Sequence, residues 1–493
     1  MTSHLKDHQE NRDSQSDKDG ICLSYLSLPL QDILNKLQRL ENEQKFSKIL
    51  EKLDLTSVPY RELGQLVNTG DDKLILVSIA GWRQVLYRDD SSVQEFIDQG
   101  CVEIFTELFR KTQNFRRKRK ILETLIAAID EDSCDALEQN GFLQICSECI
   151  KSSHEELVNL SAQAIGLMAE QDEEILEQIY EMGLLDDIFS LLQSAMPDSK
   201  GQEIISSAAE HCIYYFKELD QREYLKYLQI AVHSLQKSRR ESCLTNLMTI
   251  IFRFLINYEY PGSVNSELSL TNSLLQKFPY MSLENCFSGM SCIAILSQDA
   301  KTHDSICCQD FYDICSRIFK DSGENISTLK ITLFIFKHLS ISEESSTKLS
   351  CSNTFAGPFS KFVVKDVREF WKNENNGAGS FITALMKHKN QQILEAIYKT
   401  GIMEKLCELA SYQSATLSHN KILELILLAL ETHRDHEEEI GESNKMCKLL
   451  YNCAPEGVPL ITKISEMAQA EFCQNPKRSL LKKILTIINS IDS

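Results

Sequence analysis

Apolar positions in this chain recur three and four residues apart almost throughout, and strict alternation is absent, so the pattern predicts helix after helix. Four segments share one phrase: FIDQGCVEIFTELF (96–109), LEQNGFLQICSECI (137–150), IYEMGLLDDIFSLL (179–192) and IYKTGIMEKLCELA (397–410). Each runs a short apolar-faced helix into a glycine and then into an amphipathic helix. At the glycine one helix ends and the next leaves at a sharp angle, which calls for a left-handed residue.

The glycines Gly100, Gly141 and Gly183 recur with a single period, and Gly401 follows after close to five more of the same size. Four weaker copies are therefore expected between Gly183 and Gly401. A longer third helix closes each unit. In NLSAQAIGLMA (159–169) the small residues Ala162, Ala164, Gly166 and Ala169 let neighbouring helices approach closely, and the acidic QDEE at 171–174 forms the joint. A period of about 42 residues with three helices per repeat predicts an α-solenoid, with room for about ten units.

Composition narrows the picture. The 493 residues include only 9 Pro and 18 Gly, too few for sandwiches or barrels with their many turns, so the expected class is all-α. The formal net charge of −19 opposes binding to nucleic acid or anionic lipid and favours basic partners. The 17 cysteines are odd in number and sit in helical pattern, and the N-terminus carries no secretory apolar run. Reduced, mostly buried thiols in a cytosolic or nuclear protein are expected. The longest apolar run, ILELILLAL (422–430), contains Glu424 and is too short to span a bilayer, so no membrane partner is expected. The expected organisation is a disordered N-terminus (1–20), amphipathic helices (21–58), repeats (59–475) and a capping helix (476–493). The pattern over 29–53, with balanced charges, leaves open a cap on the first repeat or a partner-binding helix.

The repeat phrase resembles the armadillo repeat, and HEAT repeats lack its short first helix and glycine. More narrowly, the chain resembles the importin-alpha family. The segments that carry the likeness are VPYRELGQLVNTGDDKLILVSIAGWRQVLYRDDSSVQEFIDQGC (58–101), NLSAQAIGLMAEQDEE, residues 374–410 and residues 457–491. That resemblance implies a right-handed solenoid of about ten armadillo repeats that binds basic nuclear-localisation peptides in a concave groove. It also implies importin-beta and an export receptor as partners, and a life between cytoplasm and nucleus. The family holds its peptides with a Trp/Asn ladder spaced i, i+4 on the third helices. The matching pairs here are Thr124/Ala128, Gln163/Leu167, Glu210/Tyr214 and Gly379/Thr383, none of which keeps both residues. The two tryptophans, Trp82 and Trp371, fall elsewhere, and no basic segment opens the chain. Acidic residues at the third-helix ends (Asp130, Glu131, Asp172, Glu173, Glu210) offer charge pairing in place of stacking. The expected groove residues are therefore Thr124, Gln163, Asp172, Glu210, Tyr214, Gly379 and Thr383. The alternative is an armadillo scaffold that has lost classical cargo and holds one dedicated protein partner.

Other motifs carry less chemistry. RRKRK (116–120) reads as a solvated connection rather than a localisation signal or phosphate contact. Cys146 and Cys149 form a C-x-x-C with no second ligand pair, and core packing suits them better than zinc. Cys307–Cys308 is an isolated pair. GAGSF (377–381) follows no strand, so it fails as a dinucleotide loop. His433 and His436 have no nucleophile or acid beside them, and the sequons at Asn159 and Asn325 need a secretory route. No cofactor, metal or enzymatic activity is expected.

Overall fold

The computed structural model describes residues 27–38, 46, 49–69, 71–89, 91–213, 221–257, 261–321, 326–365, 377–410, 417–435, 462 and 481–487. Among these the regular elements are helices, with no strand. None is long and apolar enough to cross a membrane. Two compact units divide the chain: Met1–Ser194 with Ile204–Phe216, and Ala195–Glu203 with Lys217–Ser493.

In the first unit the third helices Asp72–Leu86, Phe115–Ala127 and Glu155–Gln171 pack one against the next, each backed by its own second helix (Tyr60–Val67, Cys101–Lys111 or Phe142–Ile150). The starts are set by side-chain caps that satisfy free N–H groups. Asp71 accepts from the N–H groups of Lys73 at 2.7 Å and Leu74 at 3.2 Å. Asn114 accepts from those of Arg116 at 3.0 Å and Arg117 at 3.2 Å. All four phrase glycines adopt left-handed conformations, with φ from 66° to 75°. Each ends a short first helix and opens the second, as the repeated phrase predicts. The small-residue stripe works as expected. A Cβ on Gly166 would stand 2.7 Å from Ala208 Cα on the helix Lys200–Ile213, so only glycine permits that approach. Trp82 is wholly buried, and its ring meets Phe96 edge-on at 5.1 Å. Phe96 in turn meets Phe105 at 5.4 Å. Such edge-to-face contacts suit the charge distribution of aromatic rings.

Residues before the first repeat pack onto it. Leu30, Ile33, Leu34 and Leu37 of the helix Leu28–Gln38 are buried, and Ser27 hydrogen-bonds Glu62 through N–H and hydroxyl. Farther along, Gln84 donates to Leu53 O and accepts from Leu55 N, both at 2.9 Å. Within the expected 29–53, helix covers Leu28–Gln38 and the described positions Phe46, Ile49 and Leu50, and the chain turns at 51–53. The expected N-terminal segment 1–20 lies outside the described residues. Of the expected capping helix, 481–487 is helical, with Leu481 and Ile484 buried.

In the second unit the third helices Glu241–Asn257, Phe287–Leu296, Ile326–Leu339, Gly377–Lys387 and Leu417–Asp435 pack in the same succession. Its joints differ. Between Pro261–Leu268 and Leu270–Leu275 the left-handed position belongs to Ser269 (φ 50°), held by Asn265 Oδ1 accepting from Thr271 N–H at 2.8 Å. The next joint is Cys307–Cys308, with extended backbone at Cys308, and the one after leads into a π-helical turn, Phe355–Phe359, containing Pro358. Asp198, itself left-handed, caps Glu241–Asn257 from a distant loop by accepting from Arg239 N (2.7 Å) and Arg240 N (2.8 Å). GAGSF opens the helix Gly377–Lys387.

Candidate peptide-binding faces

A third helix in such a stack has its own second helix behind it and a third helix on each side, which leaves one face uncovered. In the first unit that face shows Arg116, Lys120 and Glu123 on one helix, and Glu156, Asn159, Gln163, Leu167 and Glu170 on the next, spaced by threes and fours. Most of its charges are already matched. Arg119 reaches Glu123 (2.8 Å) and Glu156 (3.1 Å), and Arg83 also pairs with Glu123. Arg117 holds Asp72 at 2.8 Å, and this hydrogen bond keeps the Asp72 carboxyl below its usual pKa. Lys120 lies 3.4 Å from Glu51, and His211 2.9 Å from Glu170. Lys118 sits over the Phe109 ring. The RRKRK run is thus a set of ties between helices rather than a solvated connection; Arg116, its first member, is exposed.

In the second unit the corresponding face is apolar and cationic. Phe287 is 41% exposed and Phe334 40%, on third helices that pack together, and Ile256 is 53% exposed at the end of the preceding one. Lys330, Phe334 and Lys337 lie at i, i+4 and i+7, one face of Ile326–Leu339. Lys387 ends the following third helix. Lys330, Lys337 and Lys387 are exposed and have no carboxylate partner among the described residues. The His338 ring lies tilted against Phe334 at 4.3 Å, and burial, then the Lys337 charge and His303, hold its pKa below the ordinary value. The carboxylates on these faces are few. Glu284 precedes Phe287, Glu424 is exposed on Leu417–Asp435, and Glu431 is paired with Lys389 at 3.0 Å.

The expected groove residues are scattered by the fold. Thr124 is wholly buried and donates to Lys120 O (2.9 Å) and Ile79 O (3.3 Å), so it packs between helices and presents nothing to a ligand. Gln163 is exposed, with Leu167 half-buried on the same face. Asp172 is a joint: its carboxylate caps the next helix through Glu174 N at 2.8 Å. Asp130 likewise accepts from Ser133 N at 2.8 Å. Glu210 is half-buried. Tyr214 and Trp371 lie outside the described residues, as do His436 and the side chain of His433. Gly379 and Thr383 are half-buried, and Thr383 donates its hydroxyl to Gly379 O at 2.8 Å. Sequence reasoning missed Phe287, Phe334 and their lysines. The available signal was the stretch ITLFIFKHLSI (331–341), more apolar than one buried helix face requires.

Ten of the thirteen described cysteines are buried; Cys307 and Cys308 are half-buried and Cys351 is exposed. Cys146 is wholly buried and its thiol is pushed well up by burial, which disfavours the charged thiolate. Cys101 and Cys212 are pushed up to about 12 for the same reason. None of the thirteen described cysteines is in a disulfide.

No protein-family model matches the sequence, and no curated protein matches it. Solved structures do. An engineered protein superposes with a TM-score of 0.60 at 11% identity, over 87% of this chain and 98% of its own. A structure described as a conserved phosphorylation switch controlling the interaction between cadherin and beta-catenin gives 0.62 at 10% identity, over 94% of this chain and 92% of its own. A designed armadillo repeat protein covers 48% of this chain and 100% of its own, with a TM-score of 0.42 at 16% identity. The likeness to the first two is one of fold: the chain is an all-α solenoid of armadillo type.

Proposed function

We propose that the chain is a non-enzymatic armadillo scaffold that holds an extended segment of a dedicated protein partner along the uncovered faces of its third helices. The observation that carries this reading is the succession of packed third helices, each leaving one face open at regular intervals. An extended chain suits such a surface because its side chains also recur at a fixed rise. A dedicated partner is favoured over classical cargo because no Trp/Asn ladder is present, Glu123 and Glu156 already pair with arginines, and Glu170 lies 2.9 Å from His211. Probing the purified full chain with an array of synthetic extended peptides, varied in charge and apolar content, tests this. Binding that depends on third-helix residues is expected; an array with no binder removes the reading.

The net charge of −19 favours a narrower alternative, an importin-alpha-like adaptor that takes basic localisation peptides from cytoplasm to nucleus. In that case the face carboxylates exchange their present partners for peptide lysines, and affinity falls steeply with salt. A salt-independent affinity for such a peptide, or none, rules it out.

A further inference from the structure

We infer that the uncovered face of the second unit, built around Phe287 and Phe334, takes an acidic extended segment in which large apolar side chains alternate with carboxylates. This rests on the scaffold reading above and specifies the partner for one part of it.

Phe287 and Phe334, each two-fifths exposed on adjacent packed helices, offer apolar area that association would bury. On Ile326–Leu339, the helix of Phe334, the described charged side chains are lysines, opposite in sign to the chain as a whole. Lys330 and Lys337 flank Phe334 one turn before and after it, and Lys387 stands on the next third helix, while Glu284 and Glu424 are the opposing exposed carboxylates. Unlike Arg117, Arg119 and Lys120 of the first unit, these three lysines are not matched by carboxylates among the described residues. An acidic segment neutralises them, and a basic one meets repulsion as it docks.

Spacing sets the rest of the chemistry. Packed helices lie about 8–10 Å apart. Two residues of extended chain span about 6.6–6.8 Å and three about 10 Å. A segment crossing the stack therefore brings an apolar side chain to each successive helix when such residues recur every second or third position, with acidic residues between them facing the lysines.

The test is fluorescence anisotropy with the full chain and three labelled synthetic peptides: one alternating Glu and Asp with Leu and Phe, one with Lys in place of the acids, and one with Ser in place of the apolar residues. The acidic–apolar peptide is expected to bind tightest and to weaken with salt. Phe334→Ser and Phe287→Ser each lower its affinity about tenfold, the scale of one apolar side chain left unburied. Lys330→Glu with Lys337→Glu shifts preference to the Lys peptide, a gain that misfolding does not produce. Binding of the acidic–apolar peptide unchanged by the phenylalanine substitutions overturns the inference. Tight binding of the Lys peptide alone, indifferent to Phe287 and Phe334, overturns it and leaves the scaffold reading standing. Failure of all three peptides overturns it, and if the wider array is also empty the scaffold reading falls too.

Discussion

The third helices of the first unit and those of the second are stacked in the same manner, yet their uncovered faces are finished differently. In the first, Arg83, Arg119, Glu123 and Glu156 neutralise one another across three helices, and the charge serves cohesion. In the second, Phe287 and Phe334 stand open, Phe334 between two lysines that no described carboxylate matches, and cohesion comes from within. There the rings of Phe336, Phe355, Phe359 and Phe381 pack at 5.1–6.1 Å. A repeat fold fixes where a face lies, and the side chains on it decide whether that face binds its neighbours or a partner.

Substitutions on the two faces should therefore fail in different ways. The largest effect is expected at Gly166, where even a Cβ collides with the Ala208 backbone. Gly166→Leu costs about 3 kcal/mol through overpacking, read as a lowered urea midpoint. A midpoint within error of the parent would mean that these helices are farther apart than described. Next comes Glu123→Ala, which leaves Arg83 and Arg119 without their shared carboxylate. Because the Arg119 side chain is half exposed and screened by water, the expected loss is about 1–2 kcal/mol. That loss shrinks in concentrated salt.

The joints and the open ring give smaller effects. Gly183 is left-handed with open space around its missing Cβ, so Gly183→Ser strains only the backbone. Its cost is about 1 kcal/mol. On the second unit Phe334→Ser should change stability by less than about 1 kcal/mol, because much of the ring is already in water. A larger loss would make Phe334 a core residue rather than a binding one. The smallest effect carries the opposite sign. Ser269 already bears the left-handed strain. Ser269→Gly is expected to gain about 0.5 kcal/mol, the relief of φ offset by the extra freedom of glycine when unfolded. Denaturant melts of Gly183→Ser and Ser269→Gly give opposite signs if Ser269 fills the glycine's place.

Those two joints also explain what was legible in the sequence. Helix class, period and joint glycines could be read because Gly100, Gly141, Gly183 and Gly401 each need a conformation that other residues resist. Between Gly183 and Gly401 the same task falls to Ser269, to the Cys307–Cys308 corner and to the π-helical turn at Pro358, none of which repeats a letter. The groove positions fared worse. Family spacing placed Thr124 on the face, but it is buried between helices and donates its hydroxyl to Ile79 O. Of the acidic residues read as ligands for a peptide, Asp172 caps the next helix and Asp130 closes a turn onto Ser133 N–H, because a carboxylate at a joint meets free N–H groups. The open phenylalanines were hidden by abundance: in an apolar run such as LFIF (333–336), composition alone does not say which ring is left over.

The most direct test of the account is a photo-crosslinking experiment on the full chain, using the acidic–apolar peptide with a photoreactive leucine in place of one Leu. Crosslinks mapped by mass spectrometry are expected on 287–296 and 326–339. Crosslinks confined to 115–127 and 155–171, the faces already neutralised by their own ion pairs, would contradict it.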